Sequence, residues 1–157
     1  MGYFRESRNC ELSTIYYLET SIATDWSNIT VVKAFTNAYK SVLPVIAIYL
    51  SSTDNNRREV GGTTLIKDYT INIDIFSTSN GQRIDLADYI TDKLKDCWTY
   101  YLYSQDPTNK ENLLKTANGT VMVTNYITDT KIDFGENVDV TDRFRHFIQV
   151  QVRKSET

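Results

Sequence analysis

Few residues in this chain could do chemistry. There is one histidine, His146, two cysteines, Cys10 and Cys97, and an acidic stretch in which Asp129, Asp133, Glu136, Asp139 and Asp142 recur. A histidine general base needs a nucleophile beside it and a carboxylate to orient it, and no serine or cysteine here has a motif spacing that assigns it to His146. His146 instead shares the apolar side of a strand pattern with Phe144 and Ile148. That predicts a packing or interface residue. Cys10 and Cys97 fall on separate helical patterns without Cys-x-x-Cys spacing, and read as small buried hydrophobes. The acidic stretch lacks the alternate-position ligands, glycine and distal glutamate of an EF-hand. It reads as the solvated face and turn of a hairpin, with an adventitious divalent-cation site as the alternative. Gly61-Gly62-Thr63-Thr64 lacks the Gly-Lys-Ser/Thr of a phosphate-binding loop and precedes a strand pattern, so it reads as a hinge. No catalytic group, resident metal or cofactor is expected.

One basic pair stands apart from the C-terminus. Arg57-Arg58 lies in the polar run Ser51–Glu59, which ends at Gly61-Gly62 and reads as a mobile loop, 51–62, at the tip of a hairpin. Asp54, Arg57, Arg58 and Glu59 are the candidate contact residues, facing an acidic protein surface or DNA phosphate. Tyr100, Tyr101 and Tyr103, expected at a helix end, are read equally as interface area and as ordinary packing.

The elements that must position these residues follow from periodicity. Leu12, Ile15, Tyr16, Glu19, Ile22, Ala23 and Trp26 recur at helical steps, giving a helix from Ser7–Asn9 to Asn28. Ser79-Asn80-Gly81-Gln82 has capping-box spacing and opens a second helix with the stripe Ala87, Ile90, Leu94, Cys97, Trp98 and Tyr101. Thr108-Asn109-Lys110-Glu111 repeats the spacing after Pro107 and suggests a short third helix, stopped by Asn118-Gly119. Strand patterns cover Thr30–Phe35, Val45–Leu50 (apolar on both faces), Leu65–Phe76, Val121–Phe134 with a phase slip near Thr128–Thr130, and a last strand over Phe144–Val152. The expected fold is α+β: a mixed, mainly antiparallel sheet, two amphipathic helices packed on one face, and the order α-β-β-β-α-(α)-β-β. Strand material from Thr63 to Phe76 would span roughly 46 Å at about 3.3 Å per residue, against a radius of gyration near 15 Å. A projecting β-hairpin arm is therefore expected.

Composition narrows the classes. The 157 residues, 41% hydrophobic and 24% charged, suit one packed domain over 1–157 and exclude a disordered chain. No apolar run reaches the roughly 20 residues of a membrane helix, and Met1–Cys10 is polar, so insertion and export are not expected. Seventeen Lys+Arg against 20 Asp+Glu, a net charge of −3, disfavour a stand-alone nucleic-acid binder. Two cysteines cannot build a disulfide framework.

Several stretches together are familiar: Leu43-Pro44-Val45-Ile46-Ala47-Ile48-Tyr49, the polar loop with Arg57-Arg58, and Tyr69-Thr70-Ile71-Asn72-Ile73-Asp74-Ile75-Phe76. To these add Arg83-Ile84-Asp85-Leu86-Ala87-Asp88 opening a helix, and Asp142-Arg143-Phe144 leading to Phe147-Ile148-Gln149-Val150-Gln151-Val152. Over roughly Leu12 to Arg153 the chain resembles the tail terminator (tail completion, minor tail) proteins of tailed bacteriophages. The resemblance implies a structural virion protein of the tail or neck, assembled in the host bacterial cytoplasm into a homo-oligomeric, hexameric ring. Such a ring caps the tail tube protein, ends tail polymerisation and meets a head-side connector or stopper protein, with a sheath protein as a further partner. DNA would pass its lumen without specific binding, and there is no catalytic residue to carry over. The alternatives are another neck or head–tail connector protein, a small enzyme, or a DNA-binding module.

Overall fold

The computed structural model describes residues 2–132 and 144–155. In chain order it comprises α1 (Glu6–Asp25), β1 (Thr30–Val32), a 3₁₀ segment (Phe35–Lys40), β2 (Val45–Arg57), β3 (Leu65–Ser77), α2 (Asn80–Leu94), β4 (Trp98–Gln105), β5 (Leu113–Ile132) and β6 (Phe144–Ser155). The six strands form one curled sheet in the order β1-β2-β3-β6-β5-β4, with β1 parallel to β2 and every other pair antiparallel. The class is α+β with a mixed, mostly antiparallel sheet. No helix among the described residues is long and apolar enough to cross a membrane.

One core holds the layers together. Ile46 and Ile48 of β2, Tyr69, Ile71, Ile73 and Ile75 of β3, and Ile148, Val150 and Val152 of β6 meet Ile15, Leu18 and Ile22 of α1 and Leu86, Ile90 and Leu94 of α2. Strand alternation puts all these sheet residues on one face, so both helices cover that face. On the other face, the 3₁₀ segment folds Phe35 and Ala38 over Val45, Ala47 and Phe76. Polar residues there pair across the strands: Asn72 with Gln149 at 2.9 Å, Asp68 with Arg153 at 2.9 Å, and Asp74 with Arg145 at 3.2 Å. The Arg145 guanidinium also lies over the rings of Phe35 and Phe76. Burial pushes the Asp74 carboxyl up, against the pull of Tyr49 and Arg145.

α1 differs from its expected stripe. Tyr16 and Ala23 are exposed, whereas Asn9, Ser13 and Thr14 are buried with Cys10 and Leu18. The reason is the open edge of β4. Ser13 Oγ accepts the Tyr101 N–H at 2.9 Å and Asn9 Oδ1 accepts the Tyr103 N–H at 3.1 Å, so polar side chains finish backbone bonding that the sheet leaves undone.

α2 opens as expected. Ser79 Oγ accepts the Gln82 N–H, and Gln82 Oε1 reaches back to the Thr78 N–H instead of to Ser79. Its end is a correction, because the helix stops at Leu94, and Trp98 and Tyr101 belong to β4 while Cys97 precedes it. The run Trp98-Thr99-Tyr100-Tyr101 favours a pleated strand over a helix. The third helix does not form either. Asp106 Oδ1 accepts from the Thr108 N–H and Oγ1, Asn109 Oδ1 accepts the Glu111 N–H, and the resulting turn joins β4 to β5 as a hairpin. Asn118-Gly119 consequently lies inside β5. The ladder jumps there, from Thr99 opposite Thr120 to Tyr101 opposite Ala117, and Gly119 takes φ +115°. A Cβ on Gly119 would stand 2.7 Å from the Ser155 carbonyl oxygen.

The polar run is also corrected. Ser51–Arg57 is strand, a continuation of β2 past an irregularity between Leu50 and Ser52, and the connecting turn is 58–64. Its missing apolar alternation reflects water on both faces, since backbone pairing with β3 alone satisfies it. The phase slip in β5 falls slightly early, at Val123/Asn125 and Tyr126/Thr128, and Phe134 lies outside the described residues.

Two stability tests follow from these contacts. Asn9→Ala strips the Tyr103 N–H of its acceptor and should cost about 1–3 kcal/mol, whereas Glu19→Ala on the exposed side of α1 should stay within about 0.5 kcal/mol. Gly119→Ala should cost about 1–3 kcal/mol through backbone strain. Urea unfolding midpoints of the three variants measure all of these.

Candidate interaction surface

The histidine is held by a carboxylate. His146 Nε2 meets Asp129 Oδ1 across the β5–β6 ladder, and the Thr91 hydroxyl of α2 lies 3.4 Å from Asp129 Oδ2. The carboxylate stands between the hydroxyl and the imidazole. A histidine base would have to stand between them instead, so the contact reads as a strap from α2 to the sheet. Asp133, Glu136, Asp139 and Asp142 lie outside the described residues. Among the described residues no group of three or more His, Cys, Asp or Glu could hold a metal ion.

Cys10 is buried in the core and Cys97 is exposed. Burial, with Glu6 and Glu11 nearby, pushes the Cys10 thiol up to about 12. It is not a nucleophile at neutral pH. Tyr100 and Tyr103 are buried on β4, while Tyr101 packs edge-on against Tyr16 at 5.7 Å. A groove of about 500 Å³ between α1 and β4 is floored by Tyr17 stacked on Trp98.

The four residues singled out from the sequence divide. Arg57, Arg58 and Glu59 cluster at the turn, where Arg57 Nη1 donates to the Gly62 carbonyl and the Arg58 N–H to the Thr64 carbonyl. Asp54 does not join them. Its Oδ2 accepts from Gln151 Nε2 at 2.8 Å, which ties it back to β6. Asp54 also stands opposite Asp68 in the ladder, so each carboxylate needs its own β6 partner, Gln151 or Arg153, to relieve like-charge repulsion.

The sheet forks beside this turn. β3 pairs with β6 from Ser77 opposite Phe144 to Tyr69 opposite Val152. Beyond that point β3 continues with β2 alone, to Leu65 opposite Arg57, and β6 continues with β5 alone, to Ser155 opposite Thr120. The cleft between the branches has a volume of about 540 Å³ and is lined by Arg58, Lys67, Arg153 and Lys154 with Glu6, Leu65 and neighbours. Arg153 is held by Asp68, and Glu6 Oε1 is engaged by the Tyr69 hydroxyl at 2.5 Å. Arg58 and Lys67 are exposed and make no ion pair among the described residues.

The opposite sign gathers on α2. Asp85, Asp88 and Asp92 are exposed along one side, away from the buried Leu86, Ile90 and Leu94, Asp96 follows the helix end, and among the described residues only Asp92 is bridged, by Lys95 at 2.9 Å. Neither patch was singled out from the sequence as a whole. The spacing of the aspartates, at steps of three and four, carried the signal for α2. Lys67, Arg153 and Lys154 join Arg58 only through strand register.

No protein-family model matches this chain, and no curated protein sequence matches it.

Two buried tyrosines, Tyr69 of β3 and Tyr103 of β4, give a pH test. Burial, then the bond to Glu6, holds the Tyr69 hydroxyl well above the ordinary tyrosine range, and burial raises Tyr103 to about 12. Unfolded tyrosine ionises near pH 10 while these two stay protonated in the fold. Their contribution is therefore complete below about pH 10 and is lost as pH rises from there toward the folded values. Tyr69→Phe should be less stable at neutral pH yet decline more shallowly above about pH 10, as urea midpoints across that range would show.

Proposed function

We propose that this chain is a structural subunit of a ring, most simply a hexamer, that caps the tail tube of a tailed bacteriophage and ends its polymerisation. One observation carries the reading. The outer half of the β2–β3 hairpin, Asp54–Arg57 against Leu65–Asp68, has backbone pairing only within itself, its ties to β6 being the side-chain bonds of Asp54 and Asp68 at its base, and Asp54–Lys67 is exposed except for half-buried Gly62 and Ile66. Val60 at the turn is fully exposed. A self-paired hairpin with an apolar residue and cations at its end contributes little to the core of one copy. It suits an arm that projects to a neighbour, and a head-to-tail contact of that kind closes into a ring when the rotation allows.

In this reading one face of the ring meets the tail tube protein and the other a head-side connector or stopper protein, with a sheath protein outside in a contractile tail. DNA slides through a lumen that does not bind it specifically. The role asks for no reaction: the chain acts by shape and by blocking further addition to the tube.

The location is directly testable. Gold-labelled antibody against the chain should mark a single end of isolated tails in negative-stain images, and label distributed along the tube would refute the assignment. The arm is testable separately. Replacing 58–64 by an Asn-Gly turn keeps the Arg57–Leu65 pairing and suits a two-residue hairpin. The variant should unfold at nearly the wild-type temperature and fail to assemble at tail ends. Normal tails from this variant would mean the hairpin end is only a surface turn.

A further inference from the structure

We propose that copies of this chain associate head to tail, with the basic fork and hairpin end of one copy seated on the acidic side of α2 of the next. The contact residues are Arg57, Arg58 and Lys67 on one copy and Asp85 and Asp88 on the other. This rests on the ring reading above and names the two surfaces that would make the ring.

Arg58 and Lys67 at the fork and Asp85 and Asp88 on α2 are exposed charges of opposite sign that make no ion pair among the described residues. The fork collects cations from three separated stretches of chain, the hairpin turn, β3 and the end of β6. α2 presents its aspartates in a single stripe. Within one copy Asp85 and Asp88, in the first half of α2, stand away from the fork. α2 begins just after Ser77, which pairs with Phe144 at one end of β6, whereas the fork opens beyond Val152. The run from Phe144 to Arg153 covers about 30 Å at roughly 3.3 Å per residue.

The exposed apolar residues favour a protein occupant over a nucleic-acid one. Val60 and Leu65 lie beside the cations, and Ile84 lies beside Asp85 and Asp88, all left to water in the single copy. A phosphate backbone would use the cations and leave Val60 without a partner. A protein surface with carboxylates around an isoleucine uses both. Because the two patches differ, the contact is heterologous and each copy keeps one of each kind free for the next neighbour. Charge opposition would guide the encounter and set the orientation, while the apolar residues are desolvated at its centre.

The test is a charge exchange. In one variant, Arg58→Glu with Lys67→Glu reverses the fork; in the other, Asp85→Lys with Asp88→Lys reverses α2. All four positions are exposed, and circular dichroism would verify that both variants fold. Sedimentation velocity at low salt reads the self-association. The wild type should associate, and should do so less as salt rises from about 20 mM to about 0.5 M and the screening length shrinks. Each variant alone sets like charges against each other and should associate roughly tenfold more weakly or worse. An equimolar mixture restores opposite charges at every contact and should associate like the wild type.

Variants that associate as well as the wild type, or a mixture that fails to recover, would overturn the proposal, as would a wild type that stays monomeric at low salt and high concentration. Loss of duplex-DNA binding in the fork variant with self-association unchanged would overturn it in favour of a phosphate site. Recovery in the mixture, together with absence of the protein from tail ends, would uphold this contact and refute the tail-capping reading.

Discussion

A sheet edge left open is a row of unpaired backbone donors and acceptors, and in this protein helix α1 completes two of them. Ser13 and Asn9 accept the Tyr101 and Tyr103 amides of β4, while Glu11 Oε2 accepts the Leu50 amide of β2 at 2.8 Å. β2 and β4 are separated in the sheet by β3, β6 and β5. One helix can touch both only if the sheet curls around it. The bonds also fix the direction of α1, since Asn9, Glu11 and Ser13 must each sit opposite a particular strand residue. The inner face closes over α1 and α2, and the β2–β3 hairpin runs out past the point where β6 can follow it.

That departure concentrates charge. Inside the body, the polar face of the central strands is bonded pair by pair, Asp74 with Arg145 and Asn72 with Gln149, and one further pair, Asp68 with Arg153, stands just past the end of the β3–β6 ladder. Past Tyr69 and Val152 the two strands share no backbone ladder, and Arg58 and Lys67 have no ion-pair partner among the described residues. The same sheet therefore carries polar pairs at its centre and the exposed cations Arg58 and Lys67 at its fork. Buried polar groups must be paired to be tolerated, and solvated ones are available to a second molecule.

Much of this was legible in the residues. The alternation of Tyr69, Ile71, Ile73 and Ile75 placed β3 correctly because one face of it is core, and Ser79 with Gln82 marked the start of α2 because a helix must satisfy its first amides. The failures are equally physical. Thr108 and Glu111 have the spacing of a helix cap, but Asp106 and Asn109 compete for the same amides and make a turn. Ser51–Arg57 looked like a loop because a strand wet on both faces has no period to read. Tyr16 and Ala23 were assigned to the buried stripe because hydrophobicity cannot reveal that Asn9 and Ser13 are wanted at an open strand edge. The fork was invisible for another reason: it depends on how Tyr69 registers with Val152, a pairing distant in sequence. Arg57, Arg58 and Glu59 were found as a group, whereas Asp54 belongs to the β6 contacts and Lys67, Arg153 and Lys154 became neighbours only by folding.

The most direct test is an image reconstruction of isolated tails at a resolution that traces backbone. A head-to-tail ring of this chain at one end of the tube, each hairpin turn at 58–64 lying on the α2 of the adjacent copy, is the expected result. Copies related by a two-fold axis, or hairpins that touch no neighbouring copy, would contradict it.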